Sequence, residues 1–458
     1  LAIAFASATK AATGSKNITI KIPTFLKGEV DVLTSTCDGA GVTLSSKKLP
    51  ATVDKVRMGS SAYYAGVSEK DKVLKAEIKN DKLELIFERA GKDYSVLLNS
   101  RPHYDYVQPK SFFTPDGKEG WVVHLDDDGP IQTPTYDSGV LYVGGGKRGN
   151  KFYAIDCKSG NQIWSYTTYD GDVAPTACVV EGGLVVFNTA KGMVYGLDAK
   201  TGKLVWHTHV EGELSTLPAC MDGRVYIACP GCTLACLDLR SGNLFFKKSA
   251  ICPFPEKPEV KNPISAPVLE GGAVYIASES GKTYCFDAAS GKVIWMKKLS
   301  NNTAPLVANG QVLLSDRLGI PEGVTAWGYE GERPALSNRS LLTMAGTVIR
   351  ANEAETGKRL WSADLWENVD RGTISAPSLG RENIYFSSSK GHLLSIRRSD
   401  GKINFCYATG QKFDSQPCLA EGTLYIATVN GDVLSLHVGD DAEDWYAWGG
   451  DSSHDKLK

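Results

Sequence analysis

The chain has 458 residues, of which 42% are hydrophobic and 22% charged, the balance of a soluble globular protein with room for two or three domains. Its formal net charge of −2 supplies no overall field for nucleic acid or acidic lipid, so neither is an expected partner. No stretch reaches the ~18 apolar residues of a membrane-spanning helix. Residues 1–16 open with Leu-Ala-Ile-Ala-Phe-Ala and run into small residues at Ala8, Ala11 and Ala12, like the tail of a secretory signal peptide. They are read as a leader, which places the protein outside the cytoplasm: secreted, periplasmic or cell-surface. The cysteine count of 11 is odd, so at least one thiol is free or pairs between chains.

Residues 17–98 form a separate small unit. Gly41-Val42-Thr43-Leu44 and Ala51–Val56 are followed by Asp71-Lys72-Val73-Leu74, Leu83–Arg89 and Tyr94–Leu98. This order resembles a bacterial-type PDZ domain, an α+β or mostly β unit. The resemblance implies a peptide-binding loop and strand at Ala40, Gly41 and Val42, where a partner strand is added. The helix that should wall the groove after Leu74 has no room between Ala76 and Lys82, so a docking module is the favoured expectation. Residues 99–117, with Pro102, Pro109 and Pro115, are read as a linker.

From residue 118 to 438 the sequence repeats. Lys200-Thr201-Gly202-Lys203-Leu204-Val205-Trp206 recurs as the segments ending in Trp164, Trp295 and Trp361, with weaker copies ending in Phe246 and Phe405. An independent mark, a proline opening an apolar run, falls at Pro134, Pro175, Pro218, Pro267, Pro305, Pro377 and Pro417. Each unit reads as four short strands, with an aspartate (Asp156, Asp198, Asp238, Asp287) and a glycine building the last turn. Such units close into a ring, and seven marks predict a seven-bladed β-propeller, making the chain mainly β. The last unit lacks an outer strand of its own. Residues Gly120 to Leu125 are expected to supply it from before the first blade. Residues 439–458 are a tail.

The segment Tyr195 to Trp206 resembles the repeat of pyrroloquinoline-quinone (PQQ) dehydrogenases, a family whose wider membership includes lipoprotein propellers of outer-membrane assembly that bind no quinone. The resemblance implies that the glycines and tryptophans dock neighbouring blades. The enzymes' adjacent cysteine pair is missing here, and no local motif carries their calcium carboxylate. No cofactor is therefore expected, with a PQQ- and Ca²⁺-dependent dehydrogenase as the alternative. A non-catalytic scaffold with a protein partner is the favoured function, and a cell-envelope assembly factor is a further alternative.

Four features are candidates for chemistry or binding. Acidic loops before the inner strands make Asp126, Asp128, Asp172 and Asp370 candidate metal ligands, since carboxylate oxygens suit Ca²⁺. Cys229 and Cys232 have CxxC spacing on an expected hairpin, as a local disulfide or thiol pair. Cys178, Cys220 and Cys418 follow the proline mark on the expected innermost strand, where packing as small residues is favoured over convergence on the central channel. Residues 317–344 are read as an insertion in the fifth blade. Its Trp327, Tyr329, Glu330, Arg333 and Arg339 have the composition of interface anchors.

Overall fold

The computed structural model describes residues 17–23, 37, 40–46, 48–56, 61–79, 82–99, 107–125, 131–145, 149–168, 177–210, 214, 216–250, 266–278, 282–298, 306–308, 311–313, 332–337, 340–353 and 356–440. Among them, seven antiparallel sheets repeat one plan. The first is Thr135–Asp137, Val140–Gly144, Lys151–Asp156 and Gln162–Thr167, paired in that order. The next three occupy 179–209, 219–249 and 268–298, and the last three 332–364, 378–408 and 418–437. Inner strands of successive sheets lie side by side from 135–137 through 179–181 and 219–221 to 268–270, and 418–420 touches both 378–379 and 135–137. The fifth and sixth sheets share one core, which completes a ring.

The first four units hold their shape through the predicted turn. Asp198 Oδ1 accepts the Thr201 N–H at 2.8 Å and the Thr201 hydroxyl at 2.7 Å, and Asp156, Asp238 and Asp287 repeat this with a serine three residues on. The hydroxyl bond first, then the amide bond, holds each carboxyl below its usual range. A depressed folded value means stability that is complete above the unfolded carboxylate value of about 4 and is lost as pH falls through the folded values. The urea midpoint of the protein is therefore expected to drop on acidification below about pH 4. A variant with all four aspartates changed to alanine should start lower and fall less steeply over the same range.

The sheets are fastened to one another by the tryptophans. Trp164 Nε1–H donates to Ala199 O of the second sheet at 2.9 Å, and Trp206 does the same to Leu239 O of the third at 2.8 Å. Trp121 reaches Cys157 O and Trp361 reaches Arg398 O. The indole then lies on the glycine of the next unit. A methyl group on Gly202 would stand 2.5 Å from Trp164, and one on Gly242 2.5 Å from Trp206. Phe246 covers Gly291 in the same way, so phenylalanine at this place keeps the contact.

The expected closure is present. The seventh sheet runs Cys418–Ala420, Thr423–Ala427, Asp432–His437, then Glu119–His124 and Val107–Phe113. Asp432 faces His124, and their side chains meet at 2.8 Å. Val107–Phe113 lies inside the stretch expected to be a linker, and Pro109 sits at the irregularity between Val107 and Lys110, where a missing donor does no harm. Its turn docks on the sixth sheet: Asp116 accepts the Tyr407 hydroxyl at 2.5 Å, and Lys118 donates to the same oxygen at 2.9 Å. Burial pushes the Asp116 carboxyl up, but the bonds from Lys118 and Tyr407 more than offset it and leave it well below the usual range. Ile18–Thr19, expected in the small unit, instead adds a parallel fifth strand to the sixth sheet, and Ile20 and Ile22 enter the core beside Phe112, Phe405 and Tyr407.

The 306–364 region departs from the expected single blade with an insertion. Leu306–Ala308 and Gln311–Leu313 form a two-stranded ladder with its own place between the fourth and fifth sheets. The strands Glu332–Ser337 and Ser340–Ala345 are the first two of the fifth sheet, so 332–345 is not a loop. Pro334 lies at the irregularity between Glu332 and Ala335, and is thus this unit's counterpart of the inner-strand proline.

The small unit is an antiparallel five-stranded meander, Val42–Leu44, Ala51–Val56, Lys72–Lys79, Lys82–Arg89 and Lys92–Asn99, with a single turn of helix at Ser61–Tyr64. Its core gathers Cys37, Val53, Val73, Leu83, Leu85, Phe87 and Leu98. Asp71, 3% exposed, is held by a two-point contact from Arg89 at 2.6 and 2.5 Å. A hairpin occupies the place of the groove helix.

Candidate functional site

Of the candidate metal ligands in the loops before the inner strands, only Asp370 is described; Asp126, Asp128 and Asp172 lie outside the described residues. Asp370 is exposed, adopts φ +47°, and its Oδ2 stands 3.3 Å from His392 Nε2. Burial lowers the affinity of His392 for a proton more than Asp370 raises it. No group of three His, Cys, Asp or Glu side chains placed to hold a metal occurs among the described residues. Asp370 is thus a partner of a buried imidazole.

His392 also contacts Ser388 Oγ through Nδ1 at 3.1 Å, which brings serine, histidine and aspartate together. The arrangement is a feature of the hairpin. Ser388 Oγ accepts the His392 backbone N–H at 3.0 Å, and Thr428 accepts that of Asp432 at 2.9 Å in the same turn of the seventh sheet. A nucleophile would need an oxyanion site beside it, yet the Ser388 and Ser389 amides are bonded to His392 O and Thr373 O.

Cys229 and Cys232 flank the hairpin between Arg224–Cys229 and Thr233–Asp238 as free thiols. Cys229 is buried with Val225, Ile227 and Leu237, and that burial pushes its thiol up to about 11. A thiol raised in this way is mostly protonated at neutral pH and reacts slowly. We expect a thiol reagent at pH 8 to label Cys232 rapidly in the native protein, and Cys229 only on unfolding, as peptide mapping of the labelled protein would show. Cys178, Cys220 and Cys418 do not converge on the channel. They pack in three different cores, and burial pushes Cys178 and Cys418 up to about 12.

In the small unit, Ala40 and Val42 are fully buried in the core and Gly41 is buried between them, so the expected groove residues do not line an open groove. Trp327, Tyr329, Glu330 and Arg339 lie outside the described residues. Arg333 falls within the inner strand of the fifth sheet.

The described ring holds cavities at its closing seam and at its channel mouth. One of about 470 Å³ follows the closing seam, floored by Phe112, Trp121 and Tyr425 and edged by Lys158, Glu421 and His437. The other, of about 230 Å³, opens at the channel mouth among the entry loops of the sixth, seventh and first sheets. Serine and threonine dominate its wall. Sequence reasoning passed over it, since scattered hydroxyl residues carry no spacing signal.

The sequence profile described as outer membrane protein assembly factor BamB matches residues 110–327 and 344–454. The chain is 25% identical over 329 residues to outer membrane protein assembly factor BamB of Burkholderia pseudomallei, covering 70% of this chain and 77% of that one. It is 23% identical over 293 residues to the tetrathionate hydrolase of Acidithiobacillus ferrooxidans, covering 60% and 53%. Among solved structures, the quinohemoprotein alcohol dehydrogenase of Comamonas testosteroni matches with a TM-score of 0.51 at 14% identity, over 74% of this chain and 77% of that one. At such identity the likeness concerns the fold alone.

Proposed function

The chain belongs to the outer membrane protein assembly factor BamB family, and on that premise we propose that it is a non-catalytic scaffold of the cell envelope that acts by binding another protein. The observation that carries this reading is the family match, which spans nearly the whole ring. In this reading the ring is a β-propeller of seven full blades and one two-stranded partial blade. The small unit, read from its sequence as PDZ-like, serves as a docking arm. The domains are then 17–98 and 118–438, with Val107–Phe113 in the stretch between them, Ile18–Thr19 of the first reaching across to the sixth sheet, and the tail beyond. The protein works outside the cytoplasm, in the periplasm or at the cell surface, and needs no cofactor.

The rival, a dehydrogenase using PQQ and Ca²⁺, has only the shared repeat and fold behind it. The two are separated by the native mass of protein purified from its own host, compared with its denatured mass. An excess of protein size supports the scaffold. An excess the size of a quinone and a metal ion overturns it.

The partner surface is proposed at Trp327, Tyr329, Glu330, Arg333 and Arg339. Deletion of 317–331 spares the strands of the fifth sheet and is expected to abolish co-purification of the partner with little change in the melting temperature. Unchanged co-purification would move the surface elsewhere on the ring.

A further inference from the structure

We infer that the cavity at the channel mouth is a socket for the guanidinium of an arginine side chain presented by a protein partner. This deepens the scaffold reading and rests on it.

The inner-strand proline follows alanine in four units (Ala174, Ala266, Ala304 and Ala376), leucine in a fifth, Leu217, and arginine in a sixth, Arg333. In the remaining two it follows Thr133 and Gln416, and the ring brings these two together: the Gln416 N–H donates to Thr133 Oγ1 at 3.2 Å. Both line the cavity of about 230 Å³, together with Asp414 and the serines at 375, 387, 388, 389 and 415.

Three hydroxyls of the wall have their protons committed elsewhere and offer the cavity lone pairs. Ser375 Oγ donates its hydrogen to Ala376 O, Ser387 Oγ to Ser415 O, and Ser415 Oγ to Ala427 O, at 2.9, 2.7 and 2.8 Å. Ser389 Oγ accepts the Thr373 N–H at 3.0 Å. Gln416 is 6% exposed, and its Nε2 is tied to Pro377 O at 2.7 Å. Its Oε1 is buried with no hydrogen-bond partner among the described residues. A buried acceptor left unmatched is unfavourable until a donor arrives. Two residues before it, the exposed Asp414 carboxylate has no ion pair or hydrogen bond among the described residues.

A donor-only, positively charged group fits these acceptors. Guanidinium presents five N–H donors in one plane and is more weakly hydrated than ammonium, so it enters a part-buried site at lower cost than lysine. Ile374 and Phe413 in the same wall can cover its three methylenes. A calcium ion fits less well, since it asks for six to eight oxygens and several carboxylates, and Asp414 is the one carboxylate among the described lining residues.

The test is an NMR titration of the full-length protein with an end-capped Gly-Arg-Gly peptide, beside Gly-Lys-Gly and the uncharged isostere Gly-citrulline-Gly. The arginine peptide is expected to bind about tenfold more tightly than citrulline, with shifts at Thr133, Ser389 and Gln416. Gln416→Leu should weaken it about tenfold, and Asp414→Asn about threefold. Gln416→Glu should tighten it. Asp414 is exposed, so its variant keeps the test valid should the Gln416 variants misfold. Equal binding of arginine and citrulline, binding of neither, or indifference to both Gln416→Leu and Asp414→Asn would overturn the socket. Loss of the socket with the partner still co-purifying would leave the scaffold reading standing.

Discussion

Replacing Gly202 with alanine is expected to destabilise the protein by about 3 kcal/mol, roughly three times the effect of the same change at Gly223. The two glycines share one conformational demand. Gly202 sits at φ +66° and Gly223 at φ +72°, where an L-residue pays about 1 kcal/mol or somewhat more. They differ in what a methyl group meets. At Gly223 it meets nothing within 4 Å. At Gly202 it stands 2.5 Å from Cδ2 of Trp164, whose indole nitrogen is already held by Ala199 O. The ring cannot slide without breaking that bond, so overpacking adds a further ~2 kcal/mol. Urea unfolding of the two variants measures the difference directly. Equal effects would mean that the indole is not a wedge between sheets, and the account of how the blades are fastened would fail.

A chain lacking residues 1–125 is expected to be recovered mainly as aggregate, whereas one lacking only 1–99 should remain soluble and unfold cooperatively. Without Glu119–His124 the strand Asp432–His437 becomes an open, apolar edge, and Val122 and Val123 no longer cover Leu434 and Val433. Removing 1–99 costs the burial of Ile20 and Ile22, about 4 kcal/mol, but leaves the ring shut. The decisive variant is a permutant in which residues 107–125 follow residue 440 through a short Gly-Ser linker. It supplies the same strands from the other end, and should restore a monomer in size-exclusion chromatography. Failure of the permutant, or a soluble ring from the 126-onward chain, would show that the seam is not what holds the ring closed.

What the sequence made legible was whatever is decided within a dozen residues. Asp198, Thr201, Gly202 and Trp206 form a turn, a cover site and a wedge from one short stretch, so the repeat announced both the strands and their docking. The closing strand was legible by its absence from the last unit. Elements set by long-range pairing were not. Val107–Phe113 and Glu332–Ser337 each hide a proline inside a strand, at Pro109 and Pro334, and a proline there argues against a strand until the bulge that accommodates it is seen. Ile18–Thr19 is too short to signal anything without Tyr407 and Ala408 beside it. At the site, Cys229 and Cys232 carried a suggestive spacing, but burial slows the first of the two thiols. Gln416 carried no motif at all, and stands out only when the eight residues before the prolines are laid beside one another.

His124 and its partner Asp432 are 308 positions apart in the chain. During synthesis at roughly 5–20 residues per second, the first half of the seam must therefore wait some tens of seconds for the second. Until then every earlier blade can assemble on its neighbour, but the two ends of the array stay exposed. The strand that finally locks the structure is thus also its longest-lived vulnerability, and escort of the nascent chain matters most for residues 107–125.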